Sequence, residues 1–261
     1  MVRTVTATEY VTPLREGGSL PAIVDGDDDG SYVVKFRGAG QGTRALIAEV
    51  VSGEIARALG LPVPEIVFVI LDPRMAKTEP DQEIQDLLRK SEGLNVGIDY
   101  LPGSITFDPM VEVPIPQREA LASAIVWFDA LVSNVDRTAK NTNLLIWHRS
   151  LWMIDHGATL IFHHSWDDSL DAGRPFPHIQ DHVLLRWATG LAEADARLAP
   201  MLRPEVIERI IGLIPEPWLG DEPQFSTVEE HRAAYRDYFT RRLESPRMWM
   251  EDAVRARTLR V

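Results

Sequence analysis

Five polar residues that are far apart in the chain have the types that phosphoryl transfer requires: Lys35, Glu49, Asp136, Asn141 and Asp155. The transition state of this reaction spreads negative charge over the phosphate oxygens, so catalysis depends on cations and on accurate positioning. A divalent metal needs hard oxygen ligands, and the hydroxyl group that receives the phosphoryl group needs a carboxylate beside it. These five side chains can together supply the cation, the metal ligands and the carboxylate.

The segment 134–145, NVDRTAKNTNLL, carries two of these residues between apolar runs. Asn141 follows Asp136 by five positions, which is the separation of the Asp and the metal-binding Asn in protein-kinase catalytic loops. Asp155 follows in IDHG, after two short apolar runs that predict a β-hairpin. Such a hairpin returns Asn141 and Asp155 to the same edge, and Gly157 is expected to permit the turn behind Asp155.

The other two residues lie in a region that is expected to form strands around one helix. SYVVKF at 31–36 predicts a strand in which Lys35 faces away from the large apolar side chains. An apolar stripe predicts a helix over 43–59, ended by Gly60. Glu49 lies off that stripe on a face of small residues, so we expect it to point at a neighbouring element and to pair with Lys35.

The pattern of elements predicts an α+β protein with two lobes. Residues 1–71 would form a small, strand-rich N-lobe that binds nucleotide, and the Pro-rich segment 72–116 would be a hinge or connector. Residues 117–261 would form a mainly helical C-lobe that carries the catalytic loop and the metal site. A capping box at Ser226 and Glu229 predicts the start of one of its helices.

Composition excludes several other classes of protein. Among 261 residues, 39 acidic residues against 27 basic ones give a net charge of -12, which disfavours nucleic acid and anionic membranes as partners. The absence of Cys excludes disulfides and Cys-ligated metals. The start of the chain lacks the apolar segment of a signal peptide, and the longest apolar stretch, SAIVWFDALV, is too short to span a bilayer. We therefore expect a cytoplasmic protein.

VDRTAKNTNLL together with LWMIDHG resembles the HipA-like kinase family, in particular the compact HipA-like kinase domain proteins of bacteria. The segment EVVSGEIARALGLPVPE, which starts at Glu49, resembles the family's Lys-pairing helix, and GGSLPAIV at 17–24 resembles its Gly-rich phosphate loop. The resemblance extends over roughly residues 13–165. The family's Asp-x-x-Ala-Lys-Asn pattern is met by Asp136, Ala139, Lys140 and Asn141.

This resemblance implies a two-lobed, protein-kinase-like fold that uses ATP with Mg²⁺ and phosphorylates Ser or Thr of a protein. It implies that Asp136 is the catalytic base and that Asn141 and Asp155 are the metal ligands. It also implies that Lys35 holds the α- and β-phosphates and that Glu49 orients it.

In the Gly-rich loop, the resemblance implies that Gly17, Gly18 and Ser19 cover the phosphates through backbone N–H groups. Ser19 is also a candidate for autophosphorylation. The sequence DRTAKNTN is similar to the Asp-Arg-x-x-x-Asn loop of phosphatidylinositol kinases as well, so a lipid or small-molecule acceptor stays open.

Two alternatives belong to other classes. His and Asp residues in the C-terminal half would suit a metal-dependent phosphohydrolase. The residues concerned are His163, His164, Asp167, Asp168, His178, Asp181 and His182. A nucleotide-binding module without turnover is the second alternative, and the intact set of five polar residues argues against it.

Overall fold

Most of the described strands lie in the N-terminal part of the chain, and most of the described α-helices lie in the C-terminal part. The computed structural model describes residues 2–14, 20–40, 42–77, 79–112, 114–166, 170–220, 222–244 and 246–259. The strands are β1 (Arg3–Pro13), β2 (Ala22–Gly26), β3 (Ser31–Lys35), β4 (Ile66–Leu71), β5 (Gly93–Asp99), β6 (Ile105–Thr106), β7 (Leu144–Trp147) and β8 (Ser150–Met153). The α-helices are α1 (Gly42–Ala58), α2 (Gln82–Lys90), α3 (Arg118–Leu131), α4 (Leu191–Leu198), α5 (Pro204–Ile211), α6 (Val228–Leu243) and α7 (Met248–Leu259). Over the described ranges, none of these helices combines the length and the apolar character needed to cross a membrane.

The first five strands close into a barrel in the order β1-β2-β3-β5-β4. All neighbouring pairs are antiparallel except β1 and β4, which run parallel and close the ring. The segment 72–116, predicted as a connector, therefore contains a strand of the barrel, because β5 pairs with both β3 and β4. It also contains α2, where the sequence at 81–90 indicates a short helix, so the described N-terminal part holds this helix in addition to α1.

Helix α1 is buried on almost every side because it lies between the barrel and the C-terminal part. Its residues 46–53 are all buried, including Glu49. The small-residue face predicted from the sequence does allow close approach, since a Cβ at Gly53 would overlap the side chain of Ile66 on β4. The Oγ atom of Ser52 on the same helix is 2.7 Å from the Oγ1 atom of Thr159 in the C-terminal part. A buried helix with these contacts can fix a carboxylate at the boundary of the two parts.

Helix α3 forms the centre of the C-terminal part, and its residues 122–131 are all buried. It packs against α4 and α7, with Trp127 and Trp249 in an edge-to-face contact. The cap of α6 lies one residue later than predicted. The Thr227 hydroxyl, not that of Ser226, accepts the backbone N–H of Glu230, whose carboxylate accepts the N–H of Ser226.

Arg242 on α6 is a buried arginine that caps the C-terminal end of α3. Its guanidinium donates to the backbone carbonyls of Ala130 and Leu131, at 2.8 and 2.7 Å, and to that of Ala172 at 2.8 Å. The last carbonyls of a helix lack partners in the regular helical pattern, so this side chain supplies a charged donor to buried carbonyls at the end of α3. It thereby fixes the end of α3 from which the segment containing Asp136 departs.

We expect Arg242→Ala to lower the free energy of unfolding by about 3 kcal/mol or more, because several buried carbonyls lose a charged donor at once. Arg241→Ala is the matched control, since Arg241 is the exposed neighbour on the same helix. Urea denaturation followed by circular dichroism measures both variants. Equal effects of the two substitutions would contradict the capping role of Arg242.

Candidate active site

Lys35 lies between two carboxylates that come from different parts of the chain. Its Nζ atom is 2.6 Å from Oε2 of Glu49 on α1 and 2.6 Å from Oδ1 of Asp155, which follows β8. The backbone N–H of His156 also donates to Oε2 of Glu49, at 2.9 Å. The structure therefore brings the predicted Lys and Glu together and adds Asp155 to the same cluster.

Electrostatics keep both members of the buried pair charged. Burial alone would lower the pKa of Lys35, but the charges of Glu49 and Asp155 outweigh it and raise the pKa above its ordinary value. Burial alone would raise the pKa of Glu49, but the charge of Lys35 and the bond from His156 hold it well below its usual range. An ammonium group that is charged and held in one position is suited to bind phosphate oxygens.

Asp136 lies half-buried in the loop that follows α3. Its Oδ2 atom accepts hydrogen bonds from Nδ2 of Asn141 at 2.7 Å and from Nδ2 of Asn143 at 3.2 Å. Ala139, Lys140 and Asn141 are exposed, so an acceptor can approach this side of the loop from solvent. The predicted Asp and Asn are thus direct neighbours in space as well as five residues apart.

The hairpin of β7 and β8 brings this loop to the Lys35 cluster. Leu144 pairs with Met153, and one step further the N–H of Ile154 donates to the carbonyl of Asn143 at 3.1 Å. The segment that ends in Asn141 and the segment that begins with Asp155 therefore leave the hairpin at the same end. This is the arrangement that the spacing of the two residues predicted.

The backbone turn beside the carboxylate differs from the prediction. Asp155 itself has φ of 54°, in the left-handed region, whereas Gly157 is not among the residues with positive φ. A Cβ at Gly157 would make ordinary contacts, 3.5 to 3.7 Å, with Asp155, Lys35 and Glu49. The expectation that Gly157 permits the turn is therefore wrong, and Asp155 carries the unusual conformation.

The donor atoms at this edge fit a magnesium ion. Lys35 carries one positive charge against the two carboxylates of Glu49 and Asp155, so the cluster has a net negative charge before Asp136 is counted. The side chain of Asp155 is 44% exposed, which leaves it accessible, and Asn141 uses its amide nitrogen on Asp136, which leaves its oxygen for a metal. Mg²⁺ commonly takes one or two protein oxygens and completes its octahedron with phosphate and water.

The structure also shows a buried network beside the backbone of Asp136, formed by Asp129, Arg137 and His182. The sequence analysis did not select Asp129 and Arg137, and it named His182 only as a possible ligand of a phosphohydrolase. A charged residue within the apolar run of α3 was a visible signal for Asp129. No signal joined His182 to Asp129, because the two residues are far apart in the chain and only the fold brings them close.

Those residues of the phosphohydrolase alternative that the structure describes do not gather around a common point. His178 is exposed, whereas His182 is buried and bonded to Asp129. His163 is buried beside Tyr235, and burial lowers its pKa to about 3, so it is neutral. Within the described part of the chain, no three His, Asp or Glu side chains form a metal-binding group. The predicted residues Gly17, Gly18, Ser19, Asp167 and Asp168 lie outside the described residues.

A Lys on a strand that pairs with a Glu on the following helix, set against a helical part with an Asp–Asn loop, is the arrangement of residues that kinases use. The model of the HipA-like kinase family matches residues 7–252. The chain therefore belongs to the HipA-like kinase family, as the resemblance of its loop implied, and it is a kinase.

One solved structure shows the same fold at low sequence identity. The chain is similar to a Helicobacter pylori proinflammatory kinase, CtkA, with 15% identity over 92% of this chain and 95% of that chain, at a TM-score of 0.57. It is also similar to the Golgi casein kinase, with 12% identity, 98% and 72% of the two chains covered and a TM-score of 0.48. A structure of the Golgi casein kinase with Mn/ADP bound gives 12% identity, 98% and 73% coverage and a TM-score of 0.49. Comparison with curated proteins gives no match.

Proposed function

We propose that the protein transfers the γ-phosphoryl group of ATP, in the presence of Mg²⁺, to the hydroxyl group of a Ser or Thr in a protein. The observation that carries this proposal is the position of the Lys35 ammonium between Glu49 and Asp155, 2.6 Å from each. A buried ammonium held by a fully buried carboxylate is suited to bind phosphate oxygens, and the accessible carboxylate beside it is suited to bind a metal ion.

Each side chain of the site has a role that follows from its surroundings. Lys35 binds the α- and β-phosphate oxygens, and Glu49, which is buried and charged, keeps the ammonium directed at them. Asp155 and Asn141 hold the metal through oxygen atoms. Bound Mg²⁺ neutralises charge on the β- and γ-phosphates.

Asp136 acts on the acceptor. Its carboxylate is fixed by two amide donors, Asn141 and Asn143, and accepts the proton of the attacking hydroxyl group. The exposed stretch 139–141 beside it leaves space for a polypeptide to reach the carboxylate. This openness, together with family membership, favours a protein as the acceptor.

A transfer assay with γ-labelled ATP tests the proposal. We expect label on protein hydroxyl groups, on Ser19 of the chain itself or on an added protein, only when Mg²⁺ is present. Phosphopeptide mass spectrometry identifies the labelled side chain. Label that appears only in lipid or small-molecule fractions would reject the protein acceptor, and no release or transfer of γ-phosphate at all would reject the activity.

We expect Lys35→Ala to raise the KM for ATP by about tenfold or more, because a charged hydrogen bond to phosphate contributes roughly 1.5–3 kcal/mol. Lys90→Ala, at an exposed position on α2, is the control for loss of a lysine charge. Steady-state kinetics and a thermal melt on both variants separate weaker binding from loss of fold. An unchanged KM in a folded Lys35 variant would remove this residue from the nucleotide site.

A further inference from the structure

One buried carboxylate on α3 receives hydrogen bonds from three separate points of the chain. Asp129 is fully buried, and its Oδ2 atom accepts from Nε of Arg137 at 2.6 Å and from Nε2 of His182 at 2.8 Å. Its Oδ1 atom accepts from Nδ2 of Asn134 at 2.8 Å. Because the N–H of Leu184 donates to Nδ1 of His182, the proton of the imidazole lies on Nε2, which faces Asp129.

The charge on Asp129 is stable in this setting. Burial alone would raise its pKa, but the charge of Arg137 and the bond from His182 hold the pKa well below the usual range. The carboxylate can therefore act as an acceptor for all three donors at neutral pH.

The three donors all control the backbone around Asp136. The side-chain oxygen of Asn134 accepts the backbone N–H of Asp136 at 3.0 Å. Arg137, the next residue after Asp136, also donates to the carbonyl of Asn143 and, at 3.3 Å, to that of Ile154. The chain at His182 forms a β-bridge with Thr138. The loop is thus held on both sides of Asp136 by groups that meet at one carboxylate.

We propose that Asp129 is a positioning residue of this kinase, holding the Asp136 carboxylate at the acceptor through Asn134, Arg137 and His182. This inference rests on the proposed function, since it gives Asp129 its role through the catalytic base Asp136. Asp129 itself touches neither nucleotide nor acceptor.

An amide at position 129 disturbs this arrangement without changing its volume. In Asp129→Asn, the remaining oxygen stays with the charged Arg137, and the new NH₂ group faces the NH₂ group of Asn134. Asn134 can avoid this clash of donors only by turning its amide, and its oxygen then leaves the N–H of Asp136. The substitution therefore loosens the base while the Lys35 cluster keeps all its bonds.

The substitution makes two measurable differences. We expect kcat for Mg²⁺-dependent release or transfer of γ-phosphate to fall by about 100-fold, the effect of a misplaced catalytic group, with KM for ATP changed less than about twofold. Hydrogen–deuterium exchange should increase at residues 134–138. Because unfolded enzyme also lowers the apparent kcat without changing KM, kcat is calculated per folded, ATP-binding molecule. An increase in exchange confined to residues 134–138 separates a local effect from a general loss of stability.

A second substitution restores the pattern of donors and acceptors. In the double variant Asp129→Asn with Asn134→Asp, the carboxylate at 134 accepts both from the amide at 129 and from the N–H of Asp136. We expect it to recover kcat by about tenfold over the single variant. If Asp129→Asn alone does not fold, the double variant tests the inference by itself. A kcat within about tenfold of wild type supports the positioning role of Asp129. A folded double variant that binds ATP but has no turnover overturns that role.

Asp195→Asn is the matched control, because Asp195 is also a carboxylate that accepts from a ring nitrogen, Trp127 Nε1, and from an arginine, Arg247. It has no bond to the catalytic loop and should keep kcat. Any one of three results would overturn the inference: equal kcat values for the Asp129 and Asp195 variants, unchanged hydrogen exchange at 134–138, or no recovery of kcat in the double variant.

Wild type and Asp136→Asn are measured in the same assay. An inactive wild type overturns the proposed function together with this inference, whereas an active wild type with an active Asp129→Asn overturns only the inference.

Discussion

Replacement of Asp136 by Asn is expected to reduce phosphoryl transfer by about 1,000-fold, within the range that general acid–base catalysis contributes, and to leave ATP binding nearly unchanged. The carboxylate is the group that takes the proton of the attacking hydroxyl, and an amide cannot take it. Asp136 has no bond to Lys35, so the nucleotide side of the site keeps its ammonium and the carboxylate of Asp155. Single-turnover transfer from γ-labelled ATP measures the rate, and calorimetry with a non-hydrolysable ATP analogue measures the binding.

Asp237→Asn is the control for this prediction, because Asp237 is exposed on α6. It should transfer phosphate at the wild-type rate. An Asp136 variant with the same rate as the Asp237 variant would exclude Asp136 as the base. A variant that lost both transfer and nucleotide binding would instead indicate that Asp136 supports the nucleotide site.

The second large effect is expected for Asp155→Asn, which should weaken Mg²⁺-dependent binding of ATP by about 100-fold or more. Even groups behind a metal ligand change affinity by 10- to 100-fold, and Asp155 is the charged ligand of the proposed site. Asn is the appropriate replacement because residue 155 has φ of 54°, a conformation that Asn adopts readily. The substitution thus removes the charge and retains the turn.

Calorimetry with the ATP analogue, with Mg²⁺ and with a chelator, separates metal-dependent from metal-independent binding. Asp72→Asn serves as the control, since Asp72 forms an ion pair with the exposed Arg74. If Asp155→Asn bound the Mg²⁺ complex as tightly as wild type, the metal would have to be held by other residues.

Local patterns in the sequence were sufficient to predict the elements that carry the site. QREALASAIVWFDALVSN has the apolar period of a helix, and NLLIWH and LWMID are two short apolar runs. Both patterns depend only on neighbours in the chain, and α3, β7 and β8 occur where these patterns lie. Glu49 was predicted to face another element because Ser, Gly and Ala surround it on the helix, and it is buried against Lys35. The strand-rich N-terminal part, the helical C-terminal part and the family are confirmed; the catalytic roles stay predictions.

The features that the sequence did not predict depend on contacts between distant segments of the chain. β5 was assigned to a connector because the segment 72–116 is rich in proline, yet pairing on both edges makes residues 93–99 a strand of the barrel. The contact between Asp129 and His182 joins residues 53 positions apart, with no local pattern to indicate it. No local pattern indicates the left-handed conformation of Asp155 either. Glycine is the usual sequence signal for that conformation, and the glycine nearby, Gly157, does not adopt it.

A crystal structure with Mn²⁺ and a non-hydrolysable ATP analogue tests the central claim most directly, because the anomalous signal of manganese locates the metal independently of the protein coordinates. We predict an anomalous peak within coordination distance of the Asp155 carboxylate and the Asn141 amide oxygen, with phosphate oxygens at Lys35. The account would be contradicted if the nucleotide and the metal bound elsewhere while Lys35 kept its hydrogen bonds to Glu49 and Asp155.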